Sequence, residues 1–261
     1  MNYFDPKSAA ERYARGRPYF HPQVIGKIKG FFCLAKPVPN ALDIACGTGL
    51  STIALKELAH KVFGTDISFQ MIALAPKEEH INYLASSAEE LPFKDSSFQL
   101  LTISSALHWI DRGRLFSEAK RVLVPQGRVI VYDNGFRAKM EENPDFQKWC
   151  LEVHVKRYPS PPRRRTTFSS EDTDIAGFQF LGQEQYENTV CFSVDELVDY
   201  MLTQTNVIAA VEGGHEHISD IRAWLMAEVA PKFINKSTGT RMEIATFHFG
   251  GPIWYMQKNA S

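Results

Sequence analysis

One stretch of eight residues constrains this chain more than any other: Leu42, Asp43, Ile44, Ala45, Cys46, Gly47, Thr48, Gly49. An apolar run carrying one acid leads there into a turn with two glycines, and Gly49 to Leu58 then has the pattern of a helix. Glycines at such a turn let a ligand come close to the backbone, and the following helix start presents N–H groups to polar ligand atoms. The chain is expected to fold around a Rossmann-like strand, turn and helix, with a nucleotide-like ligand over the turn.

The flanking sequence agrees. From Pro37 to Asp133 short apolar runs alternate with amphipathic segments, the reading of a parallel sheet with crossover helices. Strands are expected at Asn40 to Ala45, His60 to Asp66, Asn82 to Ser86, Phe98 to Ser104 and Arg128 to Asp133. Further helices are expected at Ser68 to Ala75 and Gly113 to Val122, the latter stopped by a turn at Pro125, Gln126 and Gly127. After Asp133 the rhythm breaks. Asp145 to Lys156 reads as helix, Gln183 to Phe192 as a strand, and Val194 to Phe233 as more helix, with Ser193 and Glu196 at capping-box spacing. Met242 to Met256 returns to strand, with Gly250 and Gly251 as a bulge or turn.

The predicted fold is α/β: a Rossmann-like, seven-stranded, mostly parallel sheet with an antiparallel C-terminal strand and a partly helical lid insertion. One domain is expected, divided into an N-terminal cap (1–36), a cofactor-binding core (37–135), a lid and substrate insertion (136–235) and a C-terminal strand (236–261). Of its 261 residues 44% are hydrophobic, enough for a sizeable core. A net charge of -1 gives no reason to expect nucleic acid or an anionic membrane as partner. Cys33, Cys46, Cys150 and Cys191 form no C-x-x-C pair, so neither zinc nor a disulfide framework is indicated. His215 and His217 follow Gly213 and Gly214 and read as loop, and no metal is expected. Without a leader pattern or an apolar run of roughly 18 residues, the chain reads as soluble and cytoplasmic, with a monomer favoured.

The chemistry follows from details of the turn. A dinucleotide fingerprint wants Gly or Ala three positions after Gly49, where this chain has Thr52, which makes an oxidoreductase the weakest reading. S-adenosylmethionine has no phosphate and carries a sulfonium and an ammonium, so an acid inside the turn motif makes physical sense for it. Asp66 ends the second strand 23 positions after Asp43, close to the offset at which an acid meets ribose hydroxyls. Ser86, Ser87, Ala88 and Glu89 end the third strand, where a hydroxyl and backbone N–H groups can read an adenine edge.

On these residues the sequence resembles class I S-adenosylmethionine-dependent methyltransferases, in particular the small-molecule group that includes the ubiquinone-biosynthesis and trans-aconitate types. The resemblance covers roughly residues 8 to 135 and rests on LDIACGTG at 42–49, GTDIS at 64–68, SAEELPF at 87–93, SALHWI at 105–110 and RVLVPQGRVIV at 121–131. It implies that the methionine end of the cofactor lies over Ala45 to Gly49, that Asp66 holds the ribose with Ile67 and Met71 nearby, and that Ser87, Ala88 and Glu89 surround the adenine. Ser104 joins the cofactor set at the end of the fourth strand, and Tyr13, Arg17, Pro18 and Tyr19 would fold over the cofactor. The chain departs from the family pattern at Ser87, where an Asp is frequent, at Gln99, where an Asp usually follows Phe98, and at Gln126, which interrupts Pro-Gly-Gly.

His108 and Trp109 follow the fourth strand, where the methyl group would be delivered. His108 is the candidate general base, against a merely packed histidine. Arg163 in the run Arg163 to Arg165 is a candidate clamp for a substrate anion, with Tyr19 and Trp109 beside it, against a solvated loop. The expected reaction is methyl transfer from S-adenosylmethionine to a small-molecule O-acceptor, a carboxylate or hydroxyl, releasing S-adenosylhomocysteine. The alternatives are a methyltransferase for RNA or protein and a non-catalytic binder of the cofactor.

Overall fold

The computed structural model describes residues 4–164, 167–168, 172 and 177–260. By internal packing the chain forms two compact units. One comprises Tyr19–Asn134, Arg163–Tyr186 and Gly251–Ser261; the other comprises Met1–Pro18, Gly135–Pro162 and Glu187–Gly250.

A first helix, α1 (Lys7–Gly16), belongs to the second of these units. The other unit then runs through α2 (His21–Phe31), β1 (Val38–Ile44), α3 (Leu50–Ala54), β2 (Ala59–Asp66), α4 (Phe69–Ile72), β3 (Ile81–Ala85), β4 (Phe98–Ser104), α5 (Arg112–Val122) and β5 (Leu123–Tyr132). These five strands lie parallel in the order β3-β2-β1-β4-β5, so β1 is central and its C-terminal end opens between β2 and β4. The register pairs Ile44 with Thr65 and Ile103, and Ser104 with Tyr132. The last strand, β8 (Ile244–Lys258), is antiparallel to β5, pairing Val129 with Met256.

Alternation along the strands sends Leu42, Ile44, Leu101, Ile103, Val129 and Val131 to one face, where Leu115, Phe116, Ala119 and Val122 of α5 cover them. Ala41, Leu100 and Ile130 go to the other face, under Val24, Ile25 and Ile28 of α2 and Ala54 of α3. Toward the strand ends that second face turns polar, with Asp43, Thr102 and Tyr132 all buried. Gly251 is required by close approach, because a Cβ there would run into the Asp133 carbonyl. The expected bulge or turn at Gly250 and Gly251 is instead a continuous strand.

In the second unit β6 (Gly135–Met140) pairs antiparallel with the first half of β8. Then follow α6 (Asp145–Trp149), a π turn over Cys150–His154, α7 (Val155–Arg157), β7 (Phe178–Ser193, shared between the units), α8 (Val194–Met201), α9 (Thr205–Glu212) and α10 (Ile218–Val229). Its own core gathers Met140, Phe146, Trp149, Phe192, Leu197, Phe233, Phe247 and Phe249. The mostly parallel sheet with antiparallel C-terminal strands agrees with expectation. It has eight strands rather than seven, because Gly135 to Met140 becomes a strand once β8 offers it an edge. The turn expected at Pro125 to Gly127 lies inside β5 as an irregularity, with Gln126 at φ 62° and the register against β4 shifting there. No helix among the described residues is long and apolar enough to cross a membrane.

Candidate cofactor and acceptor site

The chain leaves β1 in a tight loop in which Ala45, Gly47 and Gly49 have φ of 55°, 56° and 81°. Only glycine adopts such angles without strain, and at Gly49 a side chain would also collide with the Tyr83 hydroxyl. The loop's donors largely face inward. Cys46 N–H donates to Thr65 O at 2.9 Å, Gly47 N–H to Asp66 Oδ2 at 2.8 Å and Gly49 N–H to Cys46 O at 3.0 Å. These three N–H groups of the turn are thus engaged within the protein, and what Gly47 and Gly49 offer a ligand is close approach to bare backbone. Of the remaining motif residues, Cys46 and Thr48 are buried.

Asp43 lies beneath this loop with no solvent exposure. Its Oδ2 accepts from Ser51 Oγ at 2.6 Å and Thr52 Oγ1 at 2.8 Å, and its Oδ1 from Thr102 Oγ1 at 2.8 Å. Burial raises its pKa to about 6 against the pull of the three hydroxyls. Thr52, the residue that breaks the dinucleotide fingerprint, is one of the donors holding this acid.

Asp66 closes the loop from β2. Each carboxylate oxygen takes one backbone N–H, Oδ2 from Gly47 and Oδ1 from Ser68, both at 2.8 Å. An ionised carboxylate has about four acceptor positions, so each oxygen retains one. Ser68, not Asp66, caps α4, its hydroxyl accepting from Met71 N–H at 3.3 Å. Ile67 and Phe69 stand out into solvent at 65% and 66% exposure beside the carboxylate, while Met71 is buried. After β3, the Ser87 hydroxyl donates to Glu89 Oε2, and Glu89 Oε1 accepts from Asp111 N–H at 2.8 Å. Asp111 in turn caps α5. Burial would raise the Glu89 pKa, but these hydrogen bonds outweigh it and lower it. Ser87 is therefore bound to Glu89, and Ala88 between them is buried.

Beyond β4 the His108 and Trp109 rings lie 4.7 Å apart, and the Arg163 guanidinium sits 5.8 Å from the Trp109 ring centre. Burial, reinforced by Arg163, lowers the His108 pKa to about 4. Burial raises that of Asp133 against the pull of the same arginine. Arg164 donates its N–H to His108 O at 3.2 Å and pairs with Asp111 at 3.4 Å. Arg164 is thus tied at His108 and Asp111 to the stretch between β4 and α5, whereas Arg165 lies outside the described residues. Tyr19 is half exposed in the same unit. Tyr13 and Arg17 belong to the other unit, where Arg17 lies 4.6 Å from the Tyr13 ring centre and donates to Thr203 O at 3.0 Å. His217 caps α10. Among the described residues no group of three His, Cys, Asp or Glu could hold a metal ion.

A family model described as a methyltransferase domain matches residues 42–131, which include the Ala45 to Gly49 loop, Asp66, Glu89 and His108. An uncharacterized methyltransferase of Mycobacterium tuberculosis is 33% identical over 204 residues, covering 78% of this chain and 77% of the relative. This chain belongs to the class I S-adenosylmethionine-dependent methyltransferases. A demethylmenaquinone methyltransferase from Bacillus cereus is 36% identical over 105 residues, 36% of this chain and 44% of that protein. The methyltransferase fold is seen again in a solved structure from Anaeromyxobacter dehalogenans, described as a putative type II methyltransferase. It has a TM-score of 0.67 and 21% identity, and covers 94% of this chain and 98% of its own.

In this methyltransferase the sequence reading had not found the hydroxyl cage of Asp43, the bridge from Ser87 through Glu89 to Asp111, or a buried chain at the end of β5. There Tyr132 Oη lies 2.9 Å from His21 Nδ1, and Tyr132 pairs with Ser104 in the strand register. Ser51 and Thr52, eight and nine positions after Asp43, were the only local signal for the first of these.

Proposed function

We propose that this methyltransferase acts on a small-molecule O-acceptor that is already anionic when it binds, a carboxylate or an acidic hydroxyl. When bound, S-adenosylmethionine supplies an electrophilic methyl carbon, which an oxygen nucleophile takes by in-line displacement with S-adenosylhomocysteine as leaving group. The residues of the site fit that cofactor. The Ala45 to Gly49 loop has no side chain at Gly47 or Gly49 to hold a ligand off, and Asp66 keeps an acceptor position on each oxygen for a pair of ribose hydroxyls. Ile67 offers an exposed apolar side chain beside that carboxylate, with Met71, Ser87, Ala88 and Glu89 completing the adenosine end. Ser104, the last residue of β4, is assigned to the methionine end. Asp43 contributes by holding the loop, since it is without solvent exposure and accepts from three hydroxyls of the protein.

The observation that carries the acceptor class is the place of Arg163 over Trp109, whose ring lies beside that of His108. An imidazole whose conjugate acid titrates at about 4 is a weak proton acceptor at neutral pH. The guanidinium that helps to lower it has the planar, forked geometry that suits an anionic oxygen. An acceptor that arrives ionised needs no base, so His108 and Trp109 serve as walls and Arg163 as the counter-charge. The B. cereus relative is named for a quinone-type acceptor, a small molecule rather than a macromolecule.

Methyl-labelled cofactor, offered with matched panels of carboxylates, phenols and quinols, and amines, tests this reading. Label is expected in methyl esters or ethers, at a rate constant from pH 7.5 to 5.5, with Arg163→Ala raising KM about tenfold or more. Label found only in amines, RNA or protein would overturn the acceptor class.

A further inference from the structure

The first turn of α5 carries Arg112 and Arg114 and no acid, at the positive end of the helix dipole, where a cation costs stability rather than adding it. Arg112 is engaged away from its own helix. Its Nη1 donates to Thr167 O at 3.2 Å, its Nη2 pairs with Asp172 Oδ2 at 3.6 Å, and its guanidinium carbon lies 4.0 Å from the centre of the Phe168 ring. Phe168 is itself buried, edge-on to Phe116 of α5 at 5.8 Å and to Trp254 of β8 at 5.4 Å. A planar guanidinium suits this double duty, since it stacks on a ring while its N–H groups reach outward along the edge. One position upstream, Asp111 accepts from Arg114 N–H at 3.1 Å and pairs with Arg164, whose backbone N–H donates to His108 O. Two adjacent residues at the start of α5 thus hold the stretch after Arg163 at Arg164, Thr167, Phe168 and Asp172. The same start is fixed to the cofactor side by the Asp111 N–H on Glu89.

Arg163 comes just before the first of these holds, and its guanidinium lies 5.8 Å from the Trp109 ring centre. We propose that Arg112 is a positioning residue for the acceptor: by keeping Thr167, Phe168 and Asp172 on the first turn of α5 it sets where Arg163 presents its charge, and so sets acceptor affinity without touching the acceptor. This rests on the reading above that Arg163 is the counter-charge of an anionic acceptor. An arginine on a loose stretch of chain loses binding energy to its own ordering, whereas a held stretch has met that cost in folding. The effect falls on acceptor binding, because the cofactor loop and Asp66 are held by their own hydrogen bonds.

Two readouts test this. Trypsin digestion followed by mass spectrometry reads the hold: cleavage after Arg163 and Arg164 is expected to be about fivefold or more faster in Arg112→Ala than in wild type. Arg112→Lys, which keeps a charge for Asp172 but not the planar group over Phe168, should show a smaller rise. Kinetics read the consequence, with the carboxylate or phenol that takes label fastest in the panel above. Arg112→Ala is expected to raise KM about fivefold, with kcat and S-adenosylmethionine affinity within about twofold of wild type. In an Arg163→Ala background it should add less than about twofold, because both changes remove one interaction. Unaltered cleavage in both Arg112 variants, a fall in kcat at constant KM, or an equal rise in KM with and without Arg163 overturns the proposal and leaves the role of Arg163 standing. KM unchanged by Arg163→Ala, or label in amines alone, overturns the reading of Arg163 and the proposal with it.

Discussion

A carboxyl group without solvent contact makes Asp43 the residue whose chemistry is easiest to check. Its folded pKa of about 6 lies above the ordinary 3.8, so the folded chain holds this proton more tightly than the unfolded one. The resulting stabilisation is full below the unfolded pKa and is lost as pH rises through about 6. Asn has the same shape and no titration. Denaturant melts from pH 4 to 7.5 should therefore show wild type losing up to about 3 kcal/mol relative to Asp43→Asn as pH rises. A pH-independent difference, or one of opposite sign, contradicts the account. At this scale sequence reading reached what is local. Gly47, Gly49 and Asp66 are tied to the turn by short separations, and their chemistry follows from residue type. Thr102 is 59 positions from Asp43, and Tyr132 is 111 from His21. Strand register brings the first pair together and the packing of α2 against the sheet the second, and no spacing in the sequence encodes either. Asp43 itself shows the limit: its type suggested a partner for a cationic ligand, while its place in the alternation of β1 gives it three hydroxyls.

Elements were legible where local chemistry and tertiary packing agree. β1, β4 and β5 are apolar on both faces because helices cover both, so they stand out as continuous runs. The start of α8 was equally plain: Ser193 Oγ accepts from Glu196 N–H at 3.3 Å, and Glu196 Oε2 accepts from Ser193 N–H at 2.8 Å. Ser193→Ala removes one half of that box and should lower stability by about 1 kcal/mol in thermal or denaturant unfolding. An unchanged midpoint would show that packing of Leu197 and Met201 alone sets the helix start. β6 was hidden because Gly135, Arg137 and Lys139 point outward, and its strand character comes from the β8 edge. The π turn at Cys150 to His154 was hidden for a similar reason. The sequence there reads as ordinary helix, and the extra residue accompanies the burial of Cys150 and His154 in the aromatic core.

At the scale of the whole molecule, each compact unit is assembled from three separate stretches of chain. The unit with the strand-end site is nearly continuous from Tyr19 to Asn134, and for that reason the fold class and the cofactor could be read from sequence. The other unit joins Met1–Pro18 to segments more than a hundred residues away, and its composition names no chemical group. The central claim is that the strand-end loops of the first unit, held by Asp66, bind S-adenosylmethionine. The most direct measurement is a calorimetric titration of wild type and Asp66→Ala with S-adenosylmethionine and S-adenosylhomocysteine, with circular dichroism to establish that both are folded. Wild type is expected to bind both ligands and Asp66→Ala to bind both about tenfold or more weaker and to a similar extent, because the ribose is common to the two. Binding of neither ligand to the folded wild type, or undiminished binding to the folded Asp66→Ala variant, would contradict that claim.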